Sequence, residues 1–285
     1  MFKKKFEQAF VGLSITVFVL ISWNANSSCL KIVTGGAAKK QSNLNGTFGT
    51  EGDHIEDYYP GVQRLENPPN LERNSLGAGI VELARQGALP SQFEPAFFER
   101  DLIKGNDQGG MLCGITCSLY MIQAVFHRYG NNENLDGIIN NPEDLMELLL
   151  KVSEKFTPGD PRYGTDESTT TAVTNELLSQ LGYNVESAFK TKSNFAVDSI
   201  GISDLYIEKN ELLALGVMYP FGNHAQLAIA FDRDTQNLIF VDPSFKNEIY
   251  RVPVFQTENG IFMDLFGDRS EVGQIKGFQK LKLID

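Results

Sequence analysis

A cysteine at the start of a predicted helix is the residue of this sequence best placed to do chemistry. Cys113 follows the pair Gly109-Gly110 and opens an apolar pattern of helical spacing that runs to Tyr129. The N-terminus of a helix presents free N–H groups and about half a positive charge. Both favour a thiolate over a thiol, so the position predicts that Cys113 is a nucleophile.

A nucleophilic thiol needs a base, and the three histidines allow one to be chosen by elimination. His54 lies in a polar, glycine-rich segment. His127 follows Cys113 by 14 residues on the same predicted helix, which separates them by about 21 Å at 1.5 Å per residue. His224 heads an apolar predicted strand, and Asp242 closes the next one, so a hairpin would bring them together. The sequence predicts Cys113 as nucleophile, His224 as base and then acid, and Asp242 as orienter of the imidazole.

An acyl-transfer site also needs hydrogen-bond donors for the oxyanion that forms during the reaction. The backbone N–H of Cys113 is one predicted donor. Gln108 is the first candidate for a side-chain donor, and Asn106 is the second. Cys117, one helical turn beyond the nucleophile, is interpreted as a small core residue. No metal site is predicted.

The first 27 residues predict an export signal. Three consecutive lysines precede an apolar run of 15 residues over 9–23, and small residues follow at 25–27. The run is shorter than the about 20 residues of a membrane span. We therefore expect a secreted or periplasmic protein. The alternative is membrane attachment, through an uncleaved signal or a lipid on Cys29.

The remainder divides into a polar segment and a globular domain. Residues 28–75 predict a flexible tether or pro-segment because they are rich in glycine and polar residues and show little apolar periodicity. Residues 76–285 predict one catalytic domain. Helices are predicted at 80–89, 113–129, from 141 onward and at 169–181, and strands at 212–219, 224–231, 238–241, 249–252 and 279–284. Helices followed by antiparallel strands predict an α+β fold.

The net charge of the protein restricts the class of molecule that it is expected to bind. The net charge of −11 argues against nucleic acid, which is bound by a basic face. The expected partner is a protein or peptide substrate, and we expect the protein to be a monomer.

Three segments resemble the papain-like cysteine peptidases. They are 108–117 (Gln-x4-Cys-Gly-Ile-Thr-Cys), 222–225 (Gly-Asn-His-Ala) and 241–245 (Val-Asp-Pro-Ser-Phe). Two branches are similar: the YopT/AvrPphB-type effector peptidases and the peptidase domains of bacteriocin-processing exporters. The separation of 111 positions between Cys113 and His224 favours the first branch.

The resemblance covers roughly residues 100–252. It implies a papain-like fold, in which an N-terminal helical lobe with the nucleophile helix packs on an antiparallel sheet lobe. It also implies peptide-bond cleavage through a thioester acyl-enzyme, with no cofactor or metal.

Two other functions share the same residues. A transglutaminase-like or deamidating enzyme would use the same triad and differ only in the nucleophile that resolves the thioester. A binding protein on the same scaffold would have lost activity, since a fold does not fix a function.

Overall fold

The structure is a computed structural model of the chain. It describes residue 55 and residues 59–68, 71–102, 112–130, 141–157, 159–191, 200–219 and 222–284. The predicted export signal, Cys29, His54 and both oxyanion candidates, Gln108 and Asn106, lie outside these residues. Of the helices within them, none has the length and apolar character needed to cross a membrane.

Five α-helices occupy most of the first half of the described chain. They are α1 (Leu76–Arg85), α2 (Pro95–Glu99), α3 (Cys113–Tyr129), α4 (Pro142–Ser153) and α5 (Glu167–Gln180). Side chains of Ser75, Asn141 and Asp166 cap α1, α4 and α5 by accepting backbone N–H groups of the first turn. The predicted bounds of α3 are confirmed, whereas α1 begins four residues before the predicted start at residue 80.

Eight strands are present among the described residues. They are β1 (Gln63–Arg64), β2 (Val185–Thr191), β3 (Glu211–Tyr219), β4 (Gly222–Asp232), β5 (Asn237–Val241), β6 (Ile249–Thr257), β7 (Gly260–Asp264) and β8 (Val272–Leu283). All their pairings are antiparallel. Six of them form a closed ring in the order β3-β4-β5-β6-β7-β8, because β7 joins β6 to β8 and β8 returns to β3. β1 extends the sheet from β6, and β2 extends it from β8.

The predicted papain-like architecture, a helical lobe on an antiparallel sheet lobe, was wrong. A closed six-stranded barrel with two extra strands dominates the fold. Three features of the sequence hid the closure. Pro253 lies inside β6, which was predicted to end at residue 252. β7 is only five residues long and follows a two-residue turn, and the first half of β8 contains Gly273, Gln274, Lys276 and Gly277, which give it no clear strand pattern.

The barrel separates two apolar cores because successive side chains of a strand point to opposite faces of the sheet. In β3, Leu213, Leu215 and Val217 belong to the core inside the barrel, whereas Leu212 and Ala214 face the helices. Strands β5 and β6 alternate in the same way. Helix α3 packs on β4 and also contacts α1 and α5, so it is the central helix of the outer core.

Residues before α1 contribute to the barrel core. Ile55, Tyr59 and Val62 are buried with the interior residues, although the sequence assigned them to a tether or pro-segment. The Gly61 N–H donates to the Leu265 carbonyl at 2.7 Å. A Cβ at Gly61 would lie 2.5 Å from the Asp264 carbonyl oxygen. Packed structure therefore begins N-terminal to residue 76.

The close approach at Gly61 leads to a stability prediction. Gly61→Ala should lower the free energy of unfolding by about 1–3 kcal/mol, because the added methyl group meets only backbone atoms, which move at a cost. Denaturant unfolding measures the difference. Gly159→Ala is the matched control, since a methyl group there meets no described atom within 4 Å and should change stability by less than about 0.5 kcal/mol. Equal unfolding midpoints for Gly61→Ala and Gly159→Ala would contradict the close packing of Gly61.

Candidate active site

Cys113 is the first residue of α3, the position at which backbone N–H groups lack acceptors within the helix. The first helical bond is donated by the Thr116 N–H to the Leu112 carbonyl at 2.7 Å. Leu112 is the N-cap and provides no side-chain acceptor. The next residue is glycine because a Cβ at Gly114 would lie 2.9 Å from Thr165 Oγ1. The helix start is thus held close to the segment that leads into α5.

His224 and Asp242 meet at one end of the barrel. His224 is the third residue of β4, and Asp242 follows the last residue of β5, its hairpin partner. The imidazole Nε2 and the carboxylate Oδ1 are 2.8 Å apart. The His224 and Asp242 side chains are 2% and 1% exposed, so water does not screen this pair.

The strand alternation explains why both side chains reach the same place. His224 pairs with Val217, and Gln226 pairs with Leu215, in the β3–β4 ladder. Val217 and Leu215 belong to the core inside the barrel. Side chains directly opposite in a ladder lie on the same face, so His224 and Gln226 project into the end of the barrel rather than toward the helices.

Both oxygens of the Asp242 carboxylate accept hydrogen bonds. Oδ1 accepts from the backbone N–H of Ser244 at 2.8 Å in addition to the His224 ring. Oδ2 accepts from Gln226 Nε2 at 2.7 Å. A carboxylate held on both oxygens has one orientation, so the imidazole bound to it has one as well.

The turn that carries Asp242 is itself fixed by the loop before α2. The Gln92 N–H donates to the Pro243 carbonyl at 2.7 Å, and Gln92 Nε2 donates to Ser244 Oγ at 3.1 Å. Ser91 Oγ donates to the Ser244 carbonyl at 3.2 Å. Gln92 is 2% exposed. The carboxylate therefore rests on a turn that has little freedom to move.

The charge balance of the site favours an imidazolium. Burial would lower the pKa of His224, but the charge and hydrogen bond of Asp242 and the side chain of Cys113 outweigh burial and raise this pKa to about 10. Burial would raise the pKa of Asp242, yet the His224 charge, with the hydrogen bonds from His224, Gln226 and Ser244, holds it below its ordinary value. At neutral pH the pair is imidazolium and carboxylate.

The thiol of Cys113 lies at the imidazole. Its hydrogen bond to the ring and its negative charge both stabilise the protonated form of His224. Because Nε2 is engaged by Asp242, Nδ1 is the nitrogen left for the sulfur. Nδ1 has no hydrogen bond of standard geometry to the described residues.

The second cysteine of α3 is in a different environment. Cys117 is fully buried, Cys113 is 8% exposed, and neither of the two forms a disulfide. Burial, followed by the negative charges of Cys113 and Asp242, raises the pKa of Cys117 well above its ordinary value. Cys117 therefore stays a neutral core thiol, in agreement with its interpretation from sequence.

The structure thus brings Cys113, His224 and Asp242 together, and the oxyanion candidates Gln108 and Asn106 lie outside the described residues. Sequence reasoning missed the residues that hold the carboxylate. A signal existed for Gln226, because this amide lies two residues after the histidine in an otherwise apolar strand. None existed for Gln92, which is 150 residues from Asp242 in the sequence.

No family model matches the chain, and no curated protein matches its sequence. Within the described part of the chain, no group of three or more His, Cys, Asp or Glu side chains is arranged to hold a metal ion.

The raised pKa of His224 leads to a spectroscopic prediction. In a ¹H–¹⁵N correlation spectrum of the histidine rings, His224 should stay in its imidazolium form up to a pH of about 10. Asp242→Asn removes the negative charge and leaves the effect of burial, so the midpoint should fall to lower pH. A His224 ring that is neutral at neutral pH in the wild-type protein would contradict the ion pair.

Proposed function

We propose that the protein is a cysteine-dependent hydrolase that cleaves peptide bonds through a thioester intermediate. The observation that supports this is the series Cys113–His224–Asp242, with the thiol at a helix start, the ring beside it and a buried carboxylate behind the ring. A nucleophile, a proton carrier and an orienting group are the parts that covalent acyl transfer requires.

The first half of the reaction makes the thioester. The Cys113 sulfur, as thiolate, attacks the carbonyl carbon of the scissile bond, and the electron pair of the C=O bond moves to oxygen. The N–H groups at the start of α3 stabilise this oxyanion. The His224 imidazolium then gives its Nδ1 proton to the leaving nitrogen, the C–N bond breaks, and the amine departs.

The second half releases the acyl group. The neutral His224 ring takes a proton from a water molecule, whose oxygen attacks the thioester carbon. The C–S bond breaks when the second tetrahedral intermediate collapses, which restores the thiolate and the imidazolium. Asp242 stays ionised throughout and stabilises each imidazolium state of the ring.

The two cysteines should differ in reactivity. Iodoacetamide near neutral pH should alkylate Cys113 far faster than Cys117, because thiolate reacts and Cys117 is a buried neutral thiol. Peptide mass spectrometry after timed labelling gives both rates in one sample. Slow labelling of Cys113 at the rate of an ordinary thiol would favour a binding protein that lacks catalytic activity.

Single substitutions should separate catalysis from stability. Cys113→Ser and His224→Ala should each lower peptide hydrolysis by at least about 10³-fold, since the groups of a triad act as a unit. The matched control is Cys117→Ser, which places a hydroxyl in the same helix and should affect mainly stability. The measurement is release of new N-termini from a proteome-derived peptide library. Full hydrolysis by Cys113→Ser would contradict the nucleophile assignment.

The same assay distinguishes hydrolysis from transfer. Reactions are run with and without a primary amine such as cadaverine, and products are read by mass. Amine incorporation at glutamine, or conversion of glutamine to glutamate without chain cleavage, would replace the peptidase proposal by a transglutaminase or deamidase.

A further inference from the structure

The N-terminal segment 59–68, here called the strap, is joined to the barrel along its length. Its strand β1 pairs with β6, with Gln63 opposite Arg251. The Leu65 N–H donates to the Ile249 carbonyl at 2.8 Å, beyond this pairing. Arg64 forms an ion pair with Glu248 at 3.0 Å. The strap thus closes on the end of the barrel that holds the candidate site.

One strap side chain enters the surroundings of the triad. The ring of Tyr59 stacks on the ring of Tyr219, with centroids 5.9 Å apart and planes 25° apart. The Tyr219 ring lies 6.4 Å from the His224 ring. The edge of Phe266 packs against Tyr59 on another side. Rings at these distances attract one another beyond the gain from burial.

The pKa shifts of Tyr59 and Tyr219 indicate that both tyrosines lie near the Asp242 carboxylate. Burial raises the pKa of Tyr219, and the charge of Asp242 raises it further. The pKa of Tyr59 is raised by burial, then by Glu271 and by Asp242. The Gln226 amide, which holds Asp242, also lies close enough to the Tyr219 hydroxyl to lower its pKa. Tyr219 therefore contacts both the ring of the candidate acid and the amide behind it.

We propose that the strap is a permanent part of the catalytic centre, with Tyr59 as a positioning residue that holds Tyr219 against His224. This proposal rests on the proposed function. In this proposal the strap belongs to the active enzyme. Residues 59–68 are therefore not part of a pro-segment that is removed on activation.

The packing explains why removal of the strap would be harmful. Tyr59 and Val62, at 4% and 1% exposed, fill the end of the barrel. Their departure would admit water to the His224–Asp242 pair, and water weakens an ion pair that burial now strengthens. It would also free Tyr219 from one of the rings that confine it. An inhibitory pro-segment, by contrast, must leave without damage to the site it covered.

The test uses the full chain and the pH dependence of Cys113 alkylation by iodoacetamide, which requires no known substrate. Tyr59→Ala should move the midpoint of alkylation to higher pH and lower the rate near neutral pH by roughly 2- to 10-fold, the effect of losing one aromatic contact. Tyr59→Phe keeps the ring and should recover most of the rate. If the alanine variant does not fold, Tyr59→Leu, which keeps an apolar side chain without a stacking ring, is measured instead.

Val254→Ala is the matched structural control. It removes buried apolar surface from the same barrel core but outside the strap, so it should lower the unfolding midpoint, yet it should keep the alkylation profile of the wild type. The same profile in the Tyr59 and Val254 variants would overturn the positioning role. Faster alkylation in Tyr59→Ala would also overturn it, because the strap would then restrain the site as a pro-segment does.

Failure of the proposed function has a different signature. In that case wild-type Cys113 would show the pH profile of an ordinary thiol, and His224→Ala would leave this profile unchanged. The strap proposal fails alone when His224→Ala alters the profile and Tyr59→Ala does not.

Discussion

The ion pair between His224 and Asp242 is the interaction on which the rest of the site depends. Taking two opposite charges out of water is costly, and their mutual attraction offsets the cost only when the remaining hydrogen-bonding atoms are also satisfied. Gln226 and the Ser244 N–H supply these bonds to the carboxylate. Removal of either member would leave an unpaired charge in a buried place.

A closed barrel meets this requirement better than an open sheet edge. Strands β3 and β5 end, and strand β4 begins, at the same end of the barrel, so their terminal side chains share one opening. The interior below is filled by apolar residues, which keep the dielectric low and the attraction strong. The strap covers the opening from one side. Closure of the barrel, rather than the length of any strand, explains how a pair on a short hairpin becomes almost fully buried.

The sequence predicted most individual helices and strands well, but it did not predict that the strands close into a barrel. The helix of Cys113 and the hairpin of His224 depend on nearby residues, namely an apolar pattern with helical spacing and a polar turn at 232–237, so both were found. The barrel depends on β7, whose five residues are specified by contacts with β6 and β8 rather than by their own pattern. The same limit applies to the site. A thiol, imidazole and carboxylate are visible as residue types, whereas the support from Gln92 comes from a residue 152 positions before Ser244 and exists only after the chain has folded.

Two different parts of the fold determine the two distances of the triad. The separation of imidazole and carboxylate is fixed within the barrel, by the β4–β5 hairpin and the turn after it. The separation of sulfur and imidazole is fixed between layers, by the packing of α3 on β4 and by the contact of Gly114 with the segment before α5. Interlayer packing yields more easily than a hydrogen-bonded ladder, because van der Waals contacts are individually weak. A small shift of α3 would therefore change the thiol–imidazole contact and leave the ion pair intact, which makes the helix start the adjustable part of the site.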